Sequence, residues 1–401
     1  MGLTDTPSAE RVHIGFFGLR NAGKSSLVNK LTGQELSVVS DVKGTTTDPV
    51  RKTMELLPIG PVVIIDTPGL DDEGELGKKR IEKTKEILGL TDIAILVTDA
   101  SSSFTSEEKE LVELFKTRSL PYVIVYNKSD LVEGDIKPYA DNSIVVSSKT
   151  GENIYELKEL IGKLVTDSKE EKYLVSDLLS EGDMTVLVIP IDESAPKGRL
   201  ILPQQLVMRD LLDHGLAFAS CRTEELEATL NSFKKAPALV ITDSQAFAEV
   251  SKIVPEDVAL TSFSILMARY KGELTRLVEG ANKLSELQDG SKVLISEGCT
   301  HHRQCNDIGT VKLPKLIRKY TGKDIELDFT SGRDFPSDLS SCDLVVHCGG
   351  CMLNDKEMQR RVKAAVDAGV PIVNYGVAIA KMNGILDRSL EPLKRSKSTT
   401  L

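Results

Sequence analysis

The chain has 401 residues, of which 40% are hydrophobic and 27% charged, and its formal net charge is −10. That length is enough for two or three domains of about 100–200 residues each. The acidic balance excludes a general nucleic-acid binder, which carries a basic face, and no apolar run approaches the roughly 18 residues of a membrane helix. Residues 1–11 are polar and lack a hydrophobic signal core, so we expect a cytoplasmic protein that binds neither nucleic acid nor a membrane.

A glycine-rich phosphate loop follows the first predicted strand, residues 12–17, and precedes a predicted helix that starts near Ser26. Its G-x-x-x-x-G-K-S pattern lets backbone N–H groups converge on phosphates, and the helix N-terminus adds its dipole. Lys24 is expected to reach the β- and γ-phosphates, and the Ser25 hydroxyl to bind Mg²⁺. The residues expected to bind the nucleotide here are Gly18, Asn21, Ala22, Gly23, Lys24, Ser25 and Ser26.

Two elements downstream supply the remaining magnesium and γ-phosphate contacts. A predicted strand at 62–65 ends in a D-x-x-G element, in which Asp66 would hold Mg²⁺ through water and the Gly69 N–H would sense the γ-phosphate. The threonine-rich segment 44–48 lies between this element and the phosphate loop, where a mobile switch belongs. Thr46 is expected to complete the Mg²⁺ shell.

The base-recognition elements indicate GTP rather than ATP. A predicted strand at 122–126 ends in Asn127-Lys128-Ser129-Asp130. The Asp130 carboxylate can accept two hydrogen bonds from the N1 and N2 edge of guanine, which adenine cannot offer. A further strand runs into a loop that is similar to the last guanine-contacting loop of GTPases, formed by Ser147, Ser148 and Lys149.

These elements, in this order, resemble the GTPase superfamily, specifically its Era/TrmE-like branch. Leu70 occupies the position at which Ras-like enzymes carry a water-orienting glutamine, so slow intrinsic turnover is expected. Asn21 stands where potassium-activated members of the branch carry an asparagine, and the resemblance implies that its side-chain oxygen helps to bind K⁺. A helix predicted over 153–165 closes this domain near residue 170.

The middle segment alternates predicted strands and helices without a catalytic motif. Its sequence contains no nucleophile beside a base, no phosphate loop and no metal-ligand spacing, so it is interpreted as an interaction or assembly module. The alternation predicts a small α/β unit with a mostly parallel sheet. Strands are expected at 185–191, 217–220, 238–241 and 258–262, and helices at 204–214, 223–232 and 244–253, before a long helix from Ile265 towards Leu284.

Five of the six cysteines lie in the last third of the chain, which indicates metal or redox chemistry. Predicted strands at 292–296 and 343–346 lead to Cys299 and to the pair Cys348 and Cys351. Loops after parallel strands share the carboxyl edge of a sheet, so these cysteines are expected to meet. Three thiolates can hold Zn²⁺ or three irons of a 4Fe–4S cluster. A single Cys-x-x-Cys pair favours the cluster, with zinc and buried free thiols as alternatives.

The pattern Cys299-x-His301, followed by His347-Cys348-x-x-Cys351, resembles the signature of the FeFe-hydrogenase maturation GTPases, the HydF family. The domain order agrees, and the resemblance covers nearly the whole chain. It implies a 4Fe–4S cluster on the three cysteines, with His301 and His347 as candidates for a labile fourth ligand, and a homodimer formed by the middle module. It further implies a GTP-hydrolysing scaffold that receives a diiron subcluster precursor made with two radical-SAM maturases and delivers it to apo FeFe-hydrogenase.

The expected fold class is therefore α/β with three domains. These are a P-loop GTPase domain with a mixed, mostly parallel sheet (1–170), a small α/β dimerisation module (171–265) and an α/β iron–sulfur cluster domain (266–401). Two other functions stay open. One is a TrmE/Era-like RNA-modification or ribosome-assembly GTPase with a zinc-stabilised C-terminal domain, which the acidic charge disfavours. The other is a GTP-gated enzyme that acts through a redox cluster, for which no motif identifies a second substrate.

Overall fold

A computed structural model describes residues 11–33, 50–57, 59–67, 84, 87–168, 172–191, 198, 200–271, 273–298, 307–332, 334–336, 338–351 and 353–394. The chain forms two compact units, residues 1–171 and 172–401. Across the ranges just given, none of the helices combines the length and the apolar character that a bilayer crossing requires.

The first unit is a six-stranded sheet with helices on both faces. Its strand order is β2-β3-β1-β4-β5-β6, and every neighbouring pair is parallel except β2 with β3. The central strands are nearly continuous apolar runs because both of their faces are covered. This confirms the mixed, mostly parallel GTPase sheet. The elements are β1 (Val12–Phe17), α1 (Lys24–Thr32), β2 (Val50–Leu56), β3 (Gly60–Asp66), β4 (Ile93–Asp99), α2 (Ser106–Thr117), β5 (Tyr122–Asn127), β6 (Ser143–Val145) and α3 (Ile154–Ser168).

The second unit contains two four-stranded parallel sheets with the same topology. In each, the first strand is central, the second lies on one side, and the third and fourth lie on the other. The orders are β10-β9-β7-β8 and β12-β11-β13-β14. The strands are β7 (Met184–Val188), β8 (Ala217–Cys221), β9 (Leu239–Thr242), β10 (Ala259–Ser262), β11 (Lys292–Glu297), β12 (Glu326–Ser331), β13 (Leu344–His347) and β14 (Ile372–Asn374).

The helices of the second unit pack its two sheets into one apolar core. That core joins Leu187 and Ile241 of the first sheet to Val293 and Val346 of the second. The predicted domain boundary between residues 265 and 266 falls inside α7. The helices are α4 (Leu202–Asp213), α5 (Leu226–Ser232), α6 (Phe247–Ile253), α7 (Phe263–Tyr270), α8 (Leu274–Asn282), α9 (Leu313–Thr321), α10 (Asp355–Asp367), α11 (Tyr375–Met382) and α12 (Leu386–Lys394).

One expected element is wrong. The long helix from Ile265 towards Leu284 is two helices, α7 and α8, because the chain turns at Lys271. The Lys271 N–H still bonds to the Met267 carbonyl. Its side chain is only 2% exposed, and its Nζ donates to the Leu353 carbonyl at 2.7 Å. A tertiary contact therefore decides where the helix ends.

Candidate functional site

The phosphate loop is held so closely that two positions accept only glycine. Gly18 has φ +139, and a Cβ there would lie 2.1 Å from the Val97 carbonyl oxygen. Gly23 has φ +89, and a Cβ there would lie 2.2 Å from Asn127 Nδ2. Asn21, between them, has φ 60 and is exposed. The loop therefore packs against β4 and the end of β5 with no room for side chains at either glycine.

The structure brings together the residues expected to bind the phosphates and Mg²⁺. Lys24 is 8% exposed, and its Nζ donates to the carbonyls of Gly18 at 3.0 Å and Leu19 at 2.7 Å. The Ser25 hydroxyl donates to Asp66 Oδ2 at 2.7 Å, so the expected Mg²⁺ hydroxyl and carboxylate are adjacent. Ser26 follows in the first turn of α1. Thr46 and Gly69 lie outside the described residues.

The guanine-recognition residues also meet, and Asn127 joins them to the phosphate loop. Asn127 is fully buried, its Nδ2 donates to the Ala22 carbonyl at 3.0 Å, and its Oδ1 accepts from the Ser148 N–H at 3.0 Å. The Ser147 hydroxyl donates to Asp130 Oδ1 at 2.6 Å. The Lys149 Nζ is 3.8 Å from Asp130 Oδ2.

Asp99 belongs to this site, and the sequence motifs do not mark it. It pairs in register with Asn127 across β4 and β5, and its Oδ2 accepts from Lys128 Nζ at 2.7 Å. Burial alone would raise the pKa of Asp99, but hydrogen bonds from Lys128 and Ser101 and the Lys128 charge hold that pKa below its ordinary value. An aspartate at the end of the strand beside the N-K-x-D strand was the available signal.

The cysteine loop lies at the carboxyl edge of the third sheet, between its first and third strands. Ser296 of β11 is in register with His347 of β13, and the Cys348 N–H donates to the Ser296 carbonyl at 2.8 Å. The Cys348 Sγ accepts the Gly298 N–H at 3.0 Å and the Gly350 N–H at 3.4 Å. Backbone N–H groups aimed at sulfur stabilise the thiolate form that binds metals. This is the topological switch point of the sheet.

The donor set fits an iron–sulfur cluster, although part of it lies outside the described residues. Cys299 and His301 belong to the part of the chain left undescribed, as does Cys305. Gly298, the residue before Cys299, donates to the sulfur of Cys348. Among the described residues there is no group of three or more His, Cys, Asp or Glu side chains that could hold a metal ion. The cluster and its ligands therefore stay a prediction.

His347 is completely buried, and both of its ring nitrogens face hydrogen-bond partners. Nδ1 lies 2.7 Å from the Cys348 carbonyl oxygen, and Nε2 lies 3.1 Å from Arg361 Nη1. Burial lowers the pKa of His347 to about 4, so the imidazole is neutral. A guanidinium only donates, so Nε2 accepts and Nδ1 carries the proton. In this arrangement neither nitrogen has a lone pair to give to iron.

Contacts between the two sheets of the second unit place the cysteine loop at their junction. Lys271, just after α7, donates to the Leu353 carbonyl. Lys312 Nζ donates at 2.6 Å to Gln245, which follows β9. Asn374, at the end of β14, donates at 3.4 Å to the carbonyl of Ser264, which follows β10. The carboxyl ends of the two sheets therefore face each other.

Comparison with known proteins assigns the two sheets of the second unit. Residues 174–272 match the hydrogen maturase F dimerization domain, and residues 275–392 match the hydrogen maturase F tetramerization domain. The chain belongs to the hydrogen maturase F family. Residues 13–128 match a 50S ribosome-binding GTPase family, so this hydrogen maturase F chain carries a GTPase domain ahead of two oligomerisation domains.

The similar curated proteins align with the GTPase domain. GTPase Der of Wolinella succinogenes is 36% identical over 177 residues, covering 40% of this chain and 37% of Der. The tRNA modification GTPase MnmE of Lactobacillus helveticus is 37% identical over 155 residues, covering 37% of this chain and 32% of MnmE. The chain thus spans about a third of the length of these relatives. A solved structure of Era with MgGDPNP and 16S ribosomal RNA is 20% identical with a TM-score of 0.35, covering 53% of this chain and 91% of Era.

Proposed function

We propose that this protein is a GTP-hydrolysing scaffold in FeFe-hydrogenase maturation. It holds a 4Fe–4S cluster on Cys299, Cys348 and Cys351, receives a diiron subcluster precursor made with two radical-SAM maturases, and delivers it to apo FeFe-hydrogenase. The observation that carries the proposal is the cysteine loop at the switch point of the third sheet, with the N–H groups of Gly298 and Gly350 directed at the Cys348 sulfur. The family membership supports the rest.

The nucleotide half of the proposal rests on the assembled GTPase site. Ser25 and Asp66 stand ready to share Mg²⁺, and Asp130 lies beside Ser147 at the predicted guanine position. Positioning and charge neutralisation account for most of the catalysis of phosphoryl transfer. We propose that GTP with Mg²⁺ is hydrolysed to GDP here, with Lys24, Ser25 and Asp66 as contacts and with Thr46 and Gly69 completing the site.

The cluster half explains why three cysteines are enough. When bound, the cluster would offer one iron without a protein thiolate, and that iron can take a ligand from the diiron cargo. A fourth cysteine thiolate would saturate the cluster and block that exchange. Cys348 and Cys351 would hold the cluster from one turn, and Cys299 from the loop after β11.

Anaerobic metal analysis tests the cluster. The full chain should bind about four irons and four sulfides, with an EPR signal of a reduced 4Fe–4S cluster. Alanine at Cys299, Cys348 or Cys351 should lower the iron content severalfold. Cys342→Ala is the matched control, because that thiol lies before β13 rather than in the loop, and it should leave the iron content unchanged. Zinc at one per chain without a cluster signal would reject this part of the proposal.

Potassium is the second cofactor that we propose. Asn21 is exposed on the phosphate loop with φ 60, so its amide can face a bound nucleotide and its counter-ions. A cation at that position would neutralise charge that develops on the phosphates. Hydrolysis should then be faster in KCl than in NaCl at equal ionic strength, and Asn21→Ala should remove the difference. Equal rates in the two salts for the unaltered chain would rule out the potassium site.

An RNA-modification or ribosome-assembly GTPase is the alternative function. Der and MnmE share only the GTPase domain with this chain, and the matches over residues 174–272 and 275–392 point to hydrogenase maturation instead. A net charge of −10 also opposes binding to RNA phosphates. A ribosome-pelleting assay in low salt distinguishes the two, because a ribosome-assembly factor would sediment with subunits in a nucleotide-dependent way.

A further inference from the structure

The cysteine loop is backed by a buried arginine that none of the sequence motifs includes. Arg361, on α10, is 1% exposed. Its Nε donates to Glu357 Oε1 at 2.8 Å, its Nη1 lies 3.1 Å from His347 Nε2, and its Nη2 donates to the Gly332 carbonyl at 2.6 Å. Its guanidinium also lies over the Phe335 ring, 5.2 Å from the centroid. A buried guanidinium needs such a complete set of partners, because burial of an unpaired charge is costly.

These contacts form a chain that starts and ends at the cysteine loop. From Cys348, the carbonyl accepts the His347 Nδ1 proton, and His347 Nε2 accepts from Arg361. From Arg361, the chain continues to the Glu357 carboxylate, and the Glu357 N–H donates to Asn354 Oδ1 at 3.0 Å. Asn354 caps α10, the helix that follows the loop. The backbone at both ends of the loop is therefore fixed by one buried network.

We propose that His347 and Arg361 are a positioning pair: they hold the backbone of the Cys348–Cys351 loop so that the Cys348 sulfur receives its N–H donors, and His347 is not an iron ligand. Arg361 selects the tautomer of His347, because its Nη1–H requires Nε2 to be an acceptor. The Cys348 carbonyl then receives the Nδ1 proton. This inference rests on the proposed cluster function, and it assigns to His347 a different role from a labile fourth ligand.

Hydrogen–deuterium exchange of the cluster-free full chain tests the positioning without any bound metal. Arg361→Met removes the donor to His347, and exchange of the backbone amides in residues 346–354 should rise about tenfold, the effect of losing a buried hydrogen bond. Arg360→Met is the matched control. Arg360 donates to the same Glu357 carboxylate from the half-exposed face of α10, and its loss should leave exchange in the loop within about twofold of the unaltered chain.

Two substitutions at His347 cover the case in which Arg361→Met does not fold. His347→Asn keeps a donor near the Nδ1 position but not the acceptor for Arg361, and His347→Gln can keep an acceptor for Arg361 but loses the Nδ1 donor. Both should raise exchange in residues 346–354. Unchanged exchange in both, or an equal rise for Arg361→Met and Arg360→Met, overturns the positioning role.

Pulsed EPR of the cluster-loaded chain, with ¹⁵N-labelled histidine, tests the second half of the inference. We expect no strong histidine nitrogen coupling to the reduced cluster. A strong coupling that disappears in His347→Asn overturns the inference. If the unaltered chain binds no cluster at all, the proposed function fails, while the exchange experiment still decides whether the pair positions the loop.

Discussion

Asp130 is the residue on which the choice of guanine depends. Its carboxylate is 14% exposed and accepts from the Ser147 hydroxyl. Two hydrogen bonds from guanine to a charged acceptor contribute about 3 kcal/mol together. Asp130→Asn should therefore weaken GTP binding about 100-fold and improve binding of xanthosine triphosphate, because an amide N–H can donate to the xanthine 2-oxygen. Fluorescence titration with labelled nucleotides measures both.

The matched carboxylate-to-amide control is Glu152→Gln. Glu152 accepts from the Ser129 hydroxyl at 2.7 Å at an exposed position next to the same loop. This substitution should leave the preference for GTP unchanged. If Asp130→Asn binds GTP as tightly as the unaltered chain, Asp130 does not recognise the base.

The buried His347 makes the stability of the second unit depend on pH. Burial lowers its pKa from 6.5 to about 4 in the folded protein, whereas the unfolded chain keeps the ordinary value. Between pH 6.5 and pH 4 the unfolded chain therefore binds more protons, so stability falls as pH falls through that window. Each pH unit contributes at most about 1.4 kcal/mol, or about 3 kcal/mol over the whole window.

Urea unfolding of the cluster-free chain at pH 7, 6, 5 and 4 measures this effect. His347→Asn should show a flatter fall in the free energy of unfolding, because asparagine does not titrate. His214→Asn is a control, because its ring is partly exposed and it should keep the full slope. A slope that is the same with and without His347 would contradict the lowered pKa.

Among individual residues, the sequence identified those that belong to a phosphate or guanine motif, because each motif position has a fixed chemical task. It did not identify Asp99, Arg361 or Lys271. Their partners are Lys128, His347 and Leu353, and the last pair is separated by 82 positions. Such pairs become visible only when the strands and helices are assembled.

At the scale of elements, the contact between α8 and β14 depends on one glycine. A Cβ at Gly280 would lie 1.9 Å from the carbonyl oxygen of Ile372, which is backbone and cannot move aside. Alanine in a helix is intrinsically better than glycine by about 1 kcal/mol, but forced overpacking costs about 1–3 kcal/mol or more. Gly280→Ala should therefore destabilise the second unit, which a shift in the urea midpoint would show.

Gly384→Ala provides the comparison for this element. Gly384 has φ +70 with nothing within 4 Å of the added Cβ, so it tests backbone strain without a clash. The cost there should be about 1–2 kcal/mol. A stabilising effect of Gly280→Ala would mean that α8 does not pack on β14 at this distance.

Strand and helix types followed from apolar periodicity in both units, because parallel strands and amphipathic helices have different hydrophobic patterns. Boundaries were less secure. The split of α7 from α8 at Lys271 depends on a carbonyl far along the chain. Strand β2 was not predicted, because an antiparallel edge strand with alternating polar residues resembles a polar loop in sequence.

At the scale of the whole molecule, we propose that dimerisation uses β8 as an edge strand. In the described part of the second unit, β8 has a neighbouring strand on one side only, whereas β10, at the opposite edge, packs against α12. The Cys221 carbonyl accepts from Ile189 on β7 at 2.9 Å. Because strand residues alternate, the Ser220 N–H points away from β7, and an open edge of this kind readily pairs with another chain.

Ser220→Pro tests this edge. Proline removes the outward N–H while leaving the bonds between β7 and β8, so the dimer should dissociate into folded monomers. Ser220→Ala keeps the N–H and should leave the dimer intact. Light scattering coupled to size-exclusion chromatography gives the mass of each variant. A Ser220→Pro chain that remains a dimer would place the interface elsewhere.

The sequence by itself determined the chemistry of the chain: a GTPase motif set, a cysteine signature and alternating α/β elements. These are local patterns, fixed by residue type and spacing. Only the tertiary structure decided that the two sheets after the GTPase unit repeat one topology, share a core and face each other at their carboxyl ends. It also decided the surroundings of His347, because a hydrogen bond to Arg361 and complete burial arise from packing between β13 and α10.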